Sequence, residues 1–275
     1  MGQVQTLPNE KQAIRSWLKT LSGPVWLALE ATNLFHLELA TQAHARGITV
    51  YLVNGYRLSK YREGIGGRAK TDCSDARLLR RYVMHEHADL RAWIPPLQGY
   101  TTLQRLLHRR AVLIQARTTV RQSLGSMPEL KTSVAALLRK MNHLDDLLMK
   151  RLQHTLTELG WDEQARRCRA IEGIGPATST ALTTIFHRGT FASADAFIAF
   201  LGMDVRVRDS GTMRGRRKLT KRGDPEIRRL LYMAAMTARR SATWKPFYER
   251  MLARGLATTQ ALVALARKLA RIAYA

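Results

Sequence analysis

The chain has 275 residues, and its 45 lysines and arginines outnumber its 21 acidic residues, giving a formal net charge of +24 at pH 7. Hydrophobic residues make up 45% of the sequence, so the chain can bury a sizeable core. The excess of positive charge favours a polyanionic partner, and nucleic acid is the leading class. No apolar run is long enough to span a membrane, and two isolated cysteines, Cys73 and Cys168, are typical of a reduced cytoplasmic protein.

The first hundred residues alternate between helical and strand patterns. Such alternation is typical of an α/β sheet with helices on its faces. The predicted elements are, in chain order, a helix capped by Asn9, a strand over Val25–Glu30, a helix over Leu34–Ala45, a strand over Ile48–Val53, a turn at Asn54-Gly55, a helix within Lys70–Val83 capped by Asp72 or Ser74, and a strand over Leu90–Ile94.

Three carboxylates stand out in this region. Glu30 ends the first predicted strand, where sites form in open α/β sheets, and Asp72 and Asp75 lie one helical turn apart. Carboxylate oxygens are the ligands that Mg²⁺ prefers, so the three residues are candidate metal ligands. The alternative is a strand-end glutamate with two acids favoured by a helix N-terminus. We interpret His85 and His87 as solvated side chains rather than ligands.

Residues 98–158 carry two leucine-rich helical stripes separated by a break at Gly125–Pro128. This pattern predicts an antiparallel helical hairpin or a coiled coil. We interpret it as a packing arm that dimerises the protein or spaces two domains. Its basic first half is a second candidate for contact with nucleic acid.

The last third contains a short glycine-rich element, Ile171–Pro176, with the sequence IEGIGP. Gly173 and Gly175 allow a tight turn, and the following helix N-terminus offers backbone N–H groups to a phosphate. The element therefore predicts the hairpin of a helix-hairpin-helix motif that binds nucleic acid. A plain turn between two helices is the alternative.

The most basic stretch, Val205–Arg229, surrounds a single Ser-Gly step at Ser210-Gly211. A hydroxyl among so many cations is suited to attack on a phosphodiester. The alternative is a solvated basic turn that Ser210 only shapes. Asp224 and Pro225 predict the start of the next helix. The candidate DNA-binding cations are Arg206, Arg208, Arg214, Arg216, Arg217, Lys218, Lys221 and Arg222.

Several of these stretches together resemble one family. They are LEATN at Leu29–Asn33, KTDCSDA at Lys70–Ala76, IEGIGPATSTAL, and SG followed by KRGDPEIRRLLYMAA. In this order they are similar to the DEDD insertion-sequence transposases of the IS-one-ten group, which includes the pilin-gene inverting recombinases. The resemblance covers nearly the whole chain. It implies a RuvC-like, RNase H-fold domain over residues 1–96, a coiled-coil spacer over 97–160, and a mostly helical C-terminal transposase domain with a helix-hairpin-helix over 161–275.

The resemblance also implies a chemistry. Glu30, Asp72 and Asp75 match the second, third and fourth acidic residues of the family's motif and would hold Mg²⁺, and Ser210 matches its catalytic serine. Family members recombine double-stranded DNA through a serine–phosphate intermediate, and many are guided by an RNA. We expect a homo-oligomer, either a dimer or a tetramer, in which Ser210 meets the acids of another subunit.

One departure from the family's pattern sets a further expectation. The family's first acidic residue lies on an opening strand, and this sequence has no aspartate before Pro8. We therefore expect an N-terminally truncated copy, or a misassigned start, with weak or no activity. Two other functions stay open: a DNA- or RNA-binding protein without chemistry, and a RuvC-like nuclease that uses the acids alone.

Overall fold

The computed structural model describes residues 4–31, 35–67, 71–206, 209–210, 213–214 and 217–275, with the backbone alone at 209–210 and 213–214. The chain forms two compact units, an N-terminal unit over Met1–Pro95 and a C-terminal unit over Pro96–Ala275. In the described ranges, no helix is both long and apolar enough to cross a membrane. The helices are α1 (Lys11–Lys19), α2 (Leu37–His44), α3 (Gly55–Gly64), α4 (Asp72–Glu86), α5 (Gln98–Leu124), α6 (Lys131–Glu158), α7 (Asp162–Arg169), α8 (Pro176–Phe186), α9 (Ala194–Phe200), α10 (Pro225–Ala238), α11 (Lys245–Ala253) and α12 (Thr258–Tyr274).

The N-terminal unit is built on two parallel strands, β1 (Trp26–Glu30) and β2 (Thr49–Val53). Their register runs from Trp26 opposite Thr49 to Glu30 opposite Val53, and α2 makes the crossover that a parallel pair requires. Because side chains alternate along a strand, β2 feeds two cores: Val50 packs with α1 and α2, and Tyr51 packs with α3 and α4. Both predicted strands and the α/β arrangement are confirmed.

Several predictions in this unit are wrong, among them the Asn9 cap, since the N-cap of α1 is Glu10. The expected strand over Leu90–Ile94 has no strand structure, and its backbone link to the sheet is a hydrogen bond from the N–H of Trp93 to the carbonyl of Val50, at 2.7 Å. Proline follows directly at positions 95 and 96, so this segment could not extend a ladder of backbone donors. The predicted turn at Asn54-Gly55 instead starts α3, because the side chain of Asn54 accepts hydrogen bonds from two backbone N–H groups of the first turn.

Neither predicted cap of α4 is correct, because the helix begins at Asp72 and its N-cap lies one residue before Asp72 and three before Ser74. Thr71 is the N-cap, and it forms a capping box with Ser74, whose N–H donates to Thr71 Oγ1 at 3.2 Å. In return the N–H of Thr71 donates to Ser74 Oγ at 2.8 Å. Asp72 and Asp75 therefore occupy the first and fourth positions of α4, where the helix dipole favours negative charge.

The C-terminal unit starts with an antiparallel pair of long helices, α5 and α6. Gly99 lies against Leu159, and Arg110 forms an ion pair with Asp145 at 2.7 Å. Residue numbers thus increase along α5 while those of their partners on α6 decrease, as in an antiparallel pair. The break between them contains a short 3₁₀ turn, Pro128–Leu130. This confirms the predicted helical hairpin.

The first turns of α5 and the last turns of α6 are embedded in the core of the C-terminal unit. Leu103 and Leu152 are fully buried in the same cluster as Leu231 of α10 and Leu265 of α12. The predicted spacer and the predicted C-terminal domain thus share one hydrophobic core at their junction. The functional boundary near residue 160 stays a prediction.

Candidate active site

The basic stretch around Ser210 forms a β-hairpin, here called the serine hairpin (Val205–Leu219). At its base β3 (Val205–Arg206) pairs antiparallel with β6 (Lys218–Leu219), and beyond that β4 (Asp209–Ser210) pairs with β5 (Met213–Arg214). Ser210 is opposite Met213, so the backbone register places it at the tip of the hairpin. The composition of this stretch predicts only a basic loop, although its alternation VRVR is a signal for a strand.

The described cations of this stretch are all exposed. Arg206 is directly opposite Lys218 across the two base strands. Like charges in facing positions destabilise a strand pair, and an anion bound between them would offset that repulsion. Arg208 and Arg216 lie outside the described residues, and at Ser210 and Arg214 only the backbone is described. Of the candidate DNA-binding cations, those whose side chains the structure describes are Arg206, Arg217, Lys218, Lys221 and Arg222.

The base of the serine hairpin is held by a close approach of two backbone segments. Gly202 has a φ of +68°, and a Cβ there would lie 2.8 Å from the nitrogen of Arg222 and closer still to that of Gly223. The N–H of Lys221 donates to the carbonyl of Gly202 at 3.1 Å, and the guanidinium of Arg228 donates to the carbonyl of Gly223 at 2.5 Å. Residues 202 and 223 must therefore be small for the hairpin to start and end where it does.

Asp224 joins the end of this segment to two helices. Its Oδ1 accepts from the N–H of Glu226 at 2.8 Å, which confirms the predicted cap of α10, and its Oδ2 is 2.8 Å from Nε2 of His108 on α5. Burial favours the protonated form of Asp224, but the hydrogen bonds from His108 and Glu226 outweigh it and lower the pKa of Asp224. The hydrogen bond to Asp224 raises the pKa of His108, although burial acts in the opposite direction.

The predicted helix-hairpin-helix element connects α7 to α8. Gly173 has a φ of +94°, and a Cβ there would lie 2.6 Å from the carbonyl oxygen of Ala234, so this side of the turn packs against α10. Gly175 is the N-cap of α8, Pro176 is its first residue, and a Cβ on Gly175 would meet nothing within 4 Å. The turn thus has a packed side at Gly173 and an open side at Gly175.

The candidate metal ligands are all in the N-terminal unit. The carboxylate of Glu30, at the end of β1, lies against Gly55 at the start of α3. Asp75 forms a mostly buried ion pair with Arg62, and Asp72 is exposed. Among the described residues, no group of three or more His, Cys, Asp or Glu side chains is close enough to hold a metal ion. The three carboxylates are thus not gathered into a metal site in the described structure, and Arg62 neutralises Asp75.

The histidine pair has different surroundings. His85 is exposed on α4, and the ring of His87 lies 4.5 Å from that of Trp26 on β1. Neither is part of a potential metal-binding group of three or more such side chains in the described part of the chain.

Two family models match the two halves of this arrangement. A DEDD transposase model matches residues 2–128, which include Glu30, Asp72 and Asp75, and a model described as "Transposase IS116/IS110/IS902 family" matches residues 165–249, which include the serine hairpin. These matches define a DNA transposase or recombinase. The chain belongs to the IS116/IS110/IS902 family of transposases. Membership of the DEDD group also indicates use of a divalent metal ion in general.

Curated relatives agree with this assignment. The chain is 29% identical over 262 residues to the pilin gene-inverting protein of Moraxella lacunata, which covers 90% of this chain and 79% of the relative. The pilin gene-inverting protein of Moraxella bovis matches to the same extent. The 42 kDa uncharacterized protein of insertion element IS900 from Mycobacterium paratuberculosis is 34% identical over 86 residues, 31% of this chain and 22% of that protein.

Proposed function

We propose that this transposase cuts and rejoins DNA through a covalent bond between Ser210 Oγ and a DNA phosphate. The observation that carries the proposal is the backbone register that puts Ser210 opposite Met213, at the tip of a hairpin whose base presents Arg206 opposite Lys218. In the first step the serine oxygen attacks phosphorus, the bond to one DNA oxygen breaks, and the serine proton and the departing alkoxide are balanced by proton exchange with solvent. The new phosphoester keeps the bond energy for rejoining.

The cations of the serine hairpin would neutralise the charge that develops on the phosphoryl group. They would also contact the backbone of double-stranded DNA on either side of the attacked phosphate. Relatives named as pilin gene-inverting proteins support a reaction that both cuts and rejoins. In line with the sequence resemblance, the proposal includes a guide RNA and a homo-oligomer, a dimer or a tetramer, as partners.

A RuvC-like, RNase H-fold identity for residues 1–96 is part of the proposal. It is supported by the parallel pair of β1 and β2 with Glu30 at the carboxyl end of β1. A helix-hairpin-helix that touches DNA at Gly173 and Gly175 is also proposed; the open side of the turn at Gly175 supports it, whereas Gly173 packs against α10 and would contribute by shaping the turn.

Mg²⁺ is proposed as the metal, with Glu30, Asp72 and Asp75 as its ligands. The family match supports a divalent metal, and oxygen donors suit Mg²⁺. The described geometry disagrees in one respect, since Asp75 pairs with Arg62. Metal binding at these residues therefore requires that Asp75 exchange Arg62 for the metal.

The test is a search for the covalent intermediate. The full chain is incubated with a supercoiled plasmid that carries the element's own ends, stopped in denaturant, and examined for protein bound to DNA. We expect a protease-sensitive adduct with the wild-type chain and with the control Ser16→Ala, an exposed serine on α1, and none with Ser210→Ala. Ser210→Cys keeps a nucleophile and is expected to retain some adduct.

Two outcomes favour the other functions. DNA cleavage that survives Ser210→Ala and disappears in Asp72→Ala would identify a nuclease that uses the acids alone. Tight DNA binding without adduct or cleavage in every version would identify a binding protein without chemistry.

A further inference from the structure

We propose that the C-terminal unit has a pocket for one DNA nucleobase turned out of its stack, next to the base of the serine hairpin. The inference rests on the proposed function, because it names the part of the DNA substrate that this pocket would take. It is carried by a cavity, two polar side chains without partners, an exposed aromatic ring and a separation of charge.

The cavity lies between the start of α5, the helices α8 and α9, and the N-terminus of α10. Its volume is about 320 Å³, and its apolar walls include Leu107, Ile185, Ile227 and Leu230. Small-molecule sites have volumes of about 300–1,000 Å³, so the cavity suits one small planar group and is too small for a helix or a duplex.

Two polar side chains of α5 line this cavity without a hydrogen-bond partner among the described residues. Tyr100 is 6% exposed, and its hydroxyl makes no hydrogen bond there, although Arg188 lies over its ring at 5.7 Å. The half-buried side-chain amide of Gln104, one helical turn further on, is also unpaired within the described ranges. Both groups line the cavity, so they are available to a ligand that has its own donors and acceptors.

Phe200 supplies a stacking surface for a flat ring. It lines the cavity and is 44% exposed, and Phe191 packs against it edge to face at 5.4 Å. Exposed aromatic rings beside basic side chains are the platforms on which proteins stack unpaired bases.

The charges that line the cavity favour one orientation of a bound nucleotide. Asp224 and Glu226 line the interior and would repel a phosphate, whereas Arg222 lines the cavity and is exposed to solvent, next to the exposed Lys221. A nucleotide therefore fits with its neutral base inside and its backbone on the cations outside.

The test compares DNA with and without bases at constant phosphate charge. The first probe is a mixed-sequence single strand of about 20 nucleotides, longer than the ~4–16 nucleotides that one single-strand site occupies. The second probe has the same number of phosphates, with every base replaced by an abasic spacer. Affinity for each is measured by fluorescence anisotropy with the full chain.

Ala199→Phe fills the cavity from an exposed position on α9, and Ala253→Phe places the same side chain on an exposed position of α11 outside the cavity. We expect Ala199→Phe to lose at least about fivefold in affinity for the base-bearing strand and nothing for the abasic strand, because stacking of one base is worth about 1–3 kcal/mol. Ala253→Phe should bind both strands as the wild type does.

A second pair of variants tests the polar groups and decides the matter if Ala199→Phe does not fold. Gln104→Leu removes the unpaired amide, and Gln115→Leu makes the same change at an exposed position of α5. Only Gln104→Leu is expected to weaken binding of the base-bearing strand.

Three results would overturn the inference. Wild-type affinity in both cavity variants would show that the cavity takes no base and leave an aromatic side chain of a protein partner as its occupant. Equal weakening on both strands would show that the variants act through phosphate contacts. A wild-type chain that binds neither single strand would overturn the base pocket alone, because the proposed reaction on double-stranded DNA is decided by the adduct assay; an adduct without single-strand binding separates the two failures.

Discussion

Nε2 of His108 lies 2.8 Å from Oδ2 of Asp224, although 116 residues separate them in the chain. His108 is on α5 of the helical hairpin, and Asp224 caps α10 directly after the serine hairpin. This ion pair therefore fixes the segment that follows the serine hairpin to a helix of the predicted spacer.

The stability of this link depends on pH in a defined window. The pKa of His108 is raised from its ordinary value of 6.5, so its contribution is complete below that value and is lost as pH rises through the higher folded pKa. The pKa of Asp224 is lowered from 3.8, so its contribution is complete above that value and is lost as pH falls through the lower folded pKa. The other charged groups that act on this pair are Glu226 and Arg228.

We expect His108→Gln to lose about 1 kcal/mol of unfolding free energy at pH 5 and less at pH 9. The value is reduced from that of a buried charged hydrogen bond because the His108 side chain is 52% exposed. Urea unfolding across pH measures it, with His143→Gln, an exposed histidine of α6, as the control. A loss that stays constant with pH would contradict an ion pair.

Gly202→Ala should destabilise the fold much more than Gly255→Ala. Both glycines have positive φ, +68° and +83°, so both alanines carry a strain of roughly 1–2 kcal/mol. Only the Cβ at position 202 overlaps the backbone of Arg222 and Gly223, whereas the one at 255 meets nothing within 4 Å. We expect a further loss of about 1–3 kcal/mol for Gly202→Ala in urea unfolding. Equal losses would mean that the hairpin base yields easily.

Replacement of both Arg206 and Lys218 by Gln should weaken DNA binding without loss of stability. Their removal relieves a like-charge pair in the free protein and removes two phosphate contacts in the complex. The slope of log affinity against log salt should fall in magnitude by about 2. Lys140→Gln on α6 controls for net charge alone. Unfolding free energy that drops while the salt slope stays unchanged would contradict a role in binding.

The ion pair between Arg62 and Asp75 should show a larger coupling energy than a surface pair. Its side chains are 14% and 21% exposed, against 54% and 59% for Lys60 and Glu63. Double-mutant cycles with Arg62→Gln and Asp75→Asn should give about 1–3 kcal/mol, and cycles on the exposed pair about 0.5 kcal/mol or less. A metal held by Asp75 would displace Arg62, so a coupling that Mg²⁺ leaves unchanged would count against the proposed ligands.

Patterns of local sequence predicted the elements that depend on local signals. The apolar runs gave β1 and β2 with Glu30 at a strand end, and Asp224-Pro225 gave the start of α10. The dipeptide Asn54-Gly55 is compatible with both a turn and a helix start. The sequence predicts a turn, whereas Asn54 is the N-cap of α3. Family motifs located Ser210, but not the hairpin that carries it.

Partners that are distant in the chain could not be predicted. Nothing in the spacing of residues connects His108 to Asp224 or Arg62 to Asp75, because these pairs form only when helices pack. The cavity beside Tyr100 and Gln104 is of the same kind, since four elements must assemble before it exists. The sequence thus predicts the candidate site residues, but not the side chains that lie next to them in the fold.

Helix α5 has 27 residues and is about 40 Å long, yet its buried residues all lie between Gly99 and Leu107. Beyond that point it is braced by α6 through pairs such as Arg110 with Asp145. The helical hairpin of α5 and α6 is thus a lever that is fixed in the core at one end only. His108, the residue after the last buried one of α5, binds Asp224. A force on the far end of the helical hairpin would therefore act on the contact that anchors the serine hairpin.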